Sequence, residues 1–156
     1  MKDMAQDNSG VIAPPPLIYA GGLLLGLLLN RAFPIKLLPR GVSLRLGGLF
    51  ILLGVLLTRS GFRTLRNAGT EVNPTKPTTT LVVSGPYQVT RNPLYLSLTL
   101  FYAGISLLAN AFMALLLLPV VLFIINRGVI DREERYLERK FGDEYLRYKM
   151  RVPRWF

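Results

Sequence analysis

Residues 92–126 read NPLYLSLTLFYAGISLLANAFMALLLLPVVLFIIN, 35 residues without a charge. A helix needs about 20 apolar residues to cross a hydrocarbon core of roughly 30 Å, so this run is too long for one crossing and adequate for two short ones. Ala109-Asn110-Ala111 is the natural tip of a hairpin, which sets spans at 93–109 and 111–127.

The pattern continues outward from this hairpin. Residues 11–30 are uncharged and long enough to cross, with Pro14, Pro15 and Pro16 at the interface. A basic segment containing Pro34 and Pro39 then breaks the chain before a further span at 46–62. That span has a short uncharged core, and Arg59 and Arg63 must snorkel toward the interface. Residues 63–91 are the one long polar stretch, and Asn73-Pro74, Lys76-Pro77 and Gly85-Pro86 predict a loop with turns. From residue 128 to 156 the chain is strongly charged. Ile130, Leu137, Phe141, Tyr145 and Tyr148 recur there at near-helical spacing, with Gly142 as a break, which describes an amphipathic helical segment on the membrane or against the bundle. The expected fold is therefore all-α: one membrane domain over residues 1–156, with about four transmembrane helices and a C-terminal amphipathic helix.

Composition narrows the function. Of the 156 residues, 51% are hydrophobic and the net charge is +10. The basic residues punctuate apolar runs instead of interleaving with aromatics in one polar domain, so the expected partner is the bilayer and not nucleic acid. No residue is cysteine or histidine, which excludes disulfides, thiolate chemistry and the usual zinc site, and removes the usual neutral-pH proton shuttle. No metal is expected. The first apolar run lacks a small-residue cleavage pattern and is expected to be a span, not a removed leader. Four spans put both termini, the 63–91 loop and the charged tail on one side. Only Arg31, Lys36, Arg40 and Arg45 fall on the other. The positive-inside rule makes the charged side cytosolic, and a bacterial inner membrane is the expected location.

Two polar segments flank the hairpin on that face, and each has a bland explanation. Asn92-Pro93 reads as a helix N-cap followed by proline at the first helical position. Glu133 and Glu134 read as a solvated helix face balanced by Arg132, Arg135 and Arg139. The combination says more. Gly85-Pro86-Tyr87, Arg91-Asn92-Pro93-Leu94-Tyr95, Glu133-Glu134, Phe141-Gly142-Asp143-Glu144-Tyr145-Leu146-Arg147-Tyr148 and Arg151-Val152-Pro153, in this order, resemble the signature of the isoprenylcysteine carboxyl methyltransferase and phospholipid methyltransferase family. The resemblance covers about half the chain.

The resemblance implies a membrane-embedded methyltransferase that binds S-adenosylmethionine between the last two spans and the C-terminal helix. It implies a cofactor pocket of Thr79, Thr80, Leu81 and Val82 leading into Gly85 and Tyr87, then Asn92, Pro93, Leu94 and Tyr95, with Glu133 and Glu134. Many family members have histidine where this chain has Asn92, and asparagine keeps the hydrogen-bonding capacity without the charge. A carboxylate at Glu133 or Glu134 suits the cofactor's ammonium or a ribose hydroxyl, since both border the apolar stripe that faces the bundle. Arg91 suits a carboxylate or an anionic substrate group, and Tyr87 and Tyr95 offer faces to adenine or the sulfonium. Arg91 and Tyr95 are the expected catalytic residues, and Arg127, where the last span ends, is assigned to the acceptor. The expected acceptor is lipophilic, bearing a carboxylate, thiol or amine. The alternative is a non-catalytic membrane protein whose basic cytosolic face binds anionic lipid or a partner subunit.

Overall fold

A computed structural model describes residues 9–70 and 78–156, so the turns expected at Asn73-Pro74 and Lys76-Pro77 lie outside the described residues. The order is α1 (Pro15–Ala32), α2 (Arg40–Asn67), a 3-10 turn (Gly85–Gln88), α3 (Pro93–Leu108), α4 (Phe112–Ile125), a π turn (Asn126–Ile130), α5 (Asp131–Phe141) and α6 (Asp143–Arg151). Among the described residues there is no strand, so the all-α expectation holds. Two stretches, Arg40–Asn67 and Phe112–Phe141, are long and apolar enough to cross a membrane. Leu24 and Leu28 on α1, Leu52 and Leu56 on α2, and Leu116 and Phe123 on α4 all stand exposed. So much outward-facing apolar surface suits hydrocarbon and not water.

Two boundaries differ from the sequence reading. The expected span 46–62 lies inside a 28-residue helix that begins at Arg40 and runs to Asn67, so the 63–91 loop starts later than expected. Arginine is a good helix former, and a charge at a helix end marks the interface without ending the helix. The charged segment after residue 127 is helical and breaks at Gly142 as read, into α5 and α6, but α5 does not start afresh: the π turn joins it to α4 as one continuous rod. An extra residue in one turn rotates the downstream helix by roughly 100°, which re-aims α5 relative to α4. The hairpin tip is as read, with α3 ending at Leu108 and α4 starting at Phe112. Asn110 sits there at φ +50°, its Oδ1 accepting from the Leu37 and Leu38 amides and its Nδ2 donating to the Leu38 carbonyl at 2.7 Å.

The helices approach closely because small residues line their contacts. α2 runs antiparallel to α3 and turns Ser43, Gly47, Gly54 and Gly61 inward, a heptad stripe of glycine. A Cβ on Gly47 would lie 2.8 Å from the Leu108 amide nitrogen and 2.9 Å from the Gly104 carbonyl oxygen, backbone that cannot yield. α1 meets α4 the same way, where a Cβ on Gly26 would lie 2.4 Å from the Ala114 Cα. Apolar packing gives little driving force between helices in lipid, so this close contact carries the association. After α5 the chain reverses at Gly142, at φ +51° and ψ −128°, a conformation that L side chains rarely adopt. α6 then returns the C-terminus to the start of α3, where the Arg91 amide donates to the Pro153 carbonyl at 2.9 Å.

Neighbouring glycines give a matched test of the α2 stripe. Gly47→Ala is expected to lower stability by about 1–3 kcal/mol through overpacking. Gly48→Ala, whose Cβ meets nothing within 4 Å, is expected to be neutral or to stabilise by about 0.5–1 kcal/mol. Thermal unfolding of both variants in detergent checks the pair.

Candidate active site

A cavity of about 630 Å³ opens where the start of α1, the second half of α2, the first turns of α3, and α5 and α6 converge. Its lining combines two chemistries. Leu94, Leu98 and Phe101 from α3, with Phe62 and Leu65 from α2, supply apolar side chains. Tyr87, Arg91, Tyr95, Glu133, Tyr145 and Tyr148 supply polar ones.

Most of the residues singled out from sequence meet here. Residues 80–82, Tyr87, residues 91–95, Glu133 and Glu134 all line the cavity. Three do not. Thr79 lies just outside, its amide donating to Thr70 Oγ1 at 3.3 Å and its hydroxyl to the Gly69 carbonyl at 3.2 Å. Gly85, at φ +58°, packs against Thr64, whose Oγ1 would lie 2.6 Å from an added Cβ. Arg127 is off the cavity: its side chain is 74% exposed and pairs with Asp131 at 3.6 Å.

The adjacent glutamates face inward, contrary to the solvated-face reading, and they do different things. Tyr95 donates its hydroxyl to Glu133 Oε1 at 2.5 Å. Glu133 stands on α5, beyond the apolar part of the rod, and burial pushes its carboxyl up to about 7; the Tyr95 hydroxyl pulls it back and Glu134 pushes it further up. Glu134 is 5% exposed and fully engaged by the protein itself. Arg91 Nη1 approaches its Oε1 at 2.9 Å, and Arg154 forks onto it, Nε to Oε1 at 2.9 Å and Nη2 to Oε2 at 2.8 Å. Lys149 adds a third cation at 3.5 Å. Glu133 is thus the carboxylate presented to the cavity, and Glu134 holds the wall together.

The tyrosines are neutral hydroxyl donors at ordinary pH. Burial pushes Tyr145 up to about 12, Glu134 adding to the rise and Arg91 pulling back. Burial also raises Tyr87, with Tyr148 and Glu133 adding to it, and raises Tyr148. The Tyr148 hydroxyl donates to the Tyr87 carbonyl at 2.7 Å, and Arg91 Nη1 donates to the Tyr145 hydroxyl at 3.3 Å. Asn92 occupies the N-cap position of α3 as read, but its side chain does not cap: Nδ2 donates instead to the Arg154 carbonyl at 2.9 Å. This position therefore serves as a hydrogen-bond donor across elements.

Several contributors escaped the sequence reading. Tyr145 and Tyr148 were legible as part of an apolar stripe and of the family signature but not as cavity residues, which their hydroxyls and positions now make them. Thr58 on α2 lines the cavity with a buried hydroxyl that has no hydrogen-bond partner among the described residues. Arg154 reaches Glu134 across 20 positions, with no local signal to mark it. Trp155 Nε1 donates to Asn126 Oδ1 at 3.1 Å, which anchors the C-terminus to the π turn. The ion pair itself is testable. Glu134→Ala leaves a buried Arg91 uncompensated and is expected to cost about 3–5 kcal/mol, read as a lowered unfolding midpoint in detergent.

Comparison with known proteins finds matches across this region. A family model described as phospholipid methyltransferase matches residues 42–144. An uncharacterized protein of Haemophilus influenzae is 47% identical over 62 residues, covering 40% of this chain and 98% of that protein. A protein-S-isoprenylcysteine O-methyltransferase of Schizosaccharomyces pombe is 36% identical over 73 residues, 47% of this chain and 31% of that protein. Protein-S-isoprenylcysteine O-methyltransferase B of Arabidopsis thaliana is 32% identical over 73 residues, 47% of this chain and 37% of that protein. The matched stretch thus spans 31% and 37% of the lengths of these two methyltransferases. No solved structure matches the chain.

Proposed function

The chain belongs to the phospholipid methyltransferase family, and from that premise we propose that it is an S-adenosylmethionine-dependent methyltransferase acting on a lipophilic acceptor within the bilayer. The observation that carries this reading is one cavity lined both by a carboxylate bonded to a tyrosine, Glu133 with Tyr95, and by the apolar side chains of Leu94, Leu98, Phe101 and Phe62. Its volume, about 630 Å³, falls in the range of roughly 300–1,000 Å³ usual for cofactor and ligand sites.

The residues present fit that cofactor. When bound, S-adenosylmethionine supplies a methyl group on a cationic sulfonium. Glu133, presented to the cavity and oriented by the Tyr95 hydroxyl, would hold the cofactor's ammonium or a ribose hydroxyl. The faces of Tyr87, Tyr95 and Tyr148 suit a cation or an adenine ring. Arg91 would hold a carboxylate, and Asn92, already a donor to a carbonyl, acts by hydrogen bonding alone. Leu94, Leu98, Phe101 and Phe62 exclude water and accept an apolar tail, so alignment and desolvation supply most of the rate. A carboxylate or thiolate acceptor needs no base, whereas an amine acceptor would pass a proton to Glu133.

Four crossings, with Arg91 and Glu133 toward the cytosolic side, complete the proposal. The charge distribution supports this orientation, because only Arg31, Lys36, Arg40 and Arg45 lie toward the hairpin-tip side. On this reading the cofactor comes from the cytosol, the acceptor comes from the bilayer, and the membrane is a bacterial inner membrane. Arg127, exposed beside Asp131, would meet an acceptor headgroup only outside the cavity.

Purified protein in nanodiscs is expected to bind radiolabelled S-adenosylmethionine, and the absence of binding in both nanodiscs and detergent would sink the proposal. The pH dependence has a defined sign. A carboxyl raised to about 7 is neutral below that pH and anionic above it, so cofactor affinity should rise about tenfold from pH 6 to pH 8. Glu133→Gln should flatten the profile at the weak, low-pH level. If the protein were instead a lipid-binding surface, charge reversal at Arg132, Arg135 and Arg139 would abolish function and Glu133→Gln would leave it intact.

A further inference from the structure

We propose that Arg154, which lies outside the cavity lining, is a positioning residue for cofactor binding that fixes Arg91 through Glu134 and Asn92 through its own backbone carbonyl. The inference rests on the functional reading above. Three observations converge on this one residue. Its guanidinium forks onto both oxygens of Glu134, and Nη2 also pairs with Asp131 at 2.9 Å. Glu134 in turn pairs with Arg91 at 2.9 Å, so the Arg91 head is placed by the same carboxylate that Arg154 holds. The backbone carbonyl of Arg154 accepts from the Asn92 side chain at 2.9 Å and from the Thr90 hydroxyl at 3.0 Å.

The side chain and backbone of Arg154 therefore clamp α5 to the segment that opens α3. Arg91 and Asn92 line the cavity; Arg154 does not. The chemistry requires a guanidinium. Two parallel N–H donors lock the orientation of a carboxylate, whereas an ammonium supplies only a point charge. With the fork gone, Glu134 keeps its negative charge but can rotate, and Arg91 rotates with it. The Nε of Arg91 is buried and has no hydrogen-bond partner among the described residues, so its head is held at Nη1, by the Glu134 carboxylate at 2.9 Å and by the longer contact to the Tyr145 hydroxyl at 3.3 Å.

The test measures the dissociation constant of S-adenosylhomocysteine by calorimetry on the full chain in nanodiscs, with the unfolding midpoint followed in parallel. Arg154→Ala, which keeps the backbone carbonyl, is expected to weaken binding about tenfold. Guanidinium ion at millimolar concentration should restore part of that loss, which a general folding defect would not allow. In a Glu134→Gln background, Arg154→Ala should add no more than about twofold, because the two act as one unit. Arg139→Ala, exposed on α5, should bind like the wild type. Should Arg154→Ala fail to fold, Arg154→Lys carries the test, with a loss of about three- to fivefold expected from keeping the charge without the fork. Wild-type affinity in the foldable variant, or an undiminished Arg154→Ala effect in the Glu134→Gln background, overturns the inference alone. Failure of the wild type to bind S-adenosylhomocysteine overturns the functional reading as well.

Discussion

The site depends on one buried carboxylate. Glu134 is held by Arg91 from the start of α3, by Arg154 from the C-terminus and by Lys149 from α6. These groups lie far apart in sequence, and a buried charge is tolerated only when its partners are close and its lone pairs are satisfied. The need to neutralise this one group therefore specifies how the loop, the rod and the tail meet. Its neighbour Glu133 is left available to the cavity because Glu134 has taken the cations.

A second constraint acts one layer deeper. The helices present leucine and phenylalanine outward and glycine, serine and alanine inward, the reverse of a soluble bundle's surface. With little hydrophobic gain from packing in lipid, close approach of backbones takes over. The glycine stripe of α2 brings α2 against α3, and α2 then contributes Thr58, Phe62 and Leu65 to the cavity. The association of the helices and the shape of the cavity thus share one cause, and an added methyl at Gly47 or Gly54 acts on both.

The sequence carried the fold where one signal dominated. The charge-free run 92–126 and its small, polar tip marked two helices, α3 and α4, because an unbroken apolar run and a turn are both written in local composition. The ends of α2 were harder to read, since arginine both favours helix and marks the interface. The charged helical stretch after residue 127 and its break at Gly142 were legible, but the continuity of α4 with α5 was not, because a change from apolar to charged residues marks an interface and not the end of a helix. At the site, the motif residues were legible and most of them line one cavity. The split between Glu133 and Glu134 was not, because it depends on Arg154 and Lys149 arriving from the far end of the chain. Thr58 was equally silent, being one hydroxyl in an apolar helix whose facing partner cannot be read locally.

Membership of the family, a cavity lined by both apolar and polar side chains, and a carboxylate bonded to a tyrosine support the proposal that a cationic methyl donor and an apolar acceptor meet between α3 and α5. The most direct measurement is transfer of tritium from methyl-labelled S-adenosylmethionine into organic-extractable product, with wild-type protein in nanodiscs supplemented with a membrane lipid extract. The account predicts time-dependent label in the lipid fraction, sharply reduced for Glu133→Gln. Label that stays wholly in the aqueous phase under conditions where the cofactor is bound would contradict it.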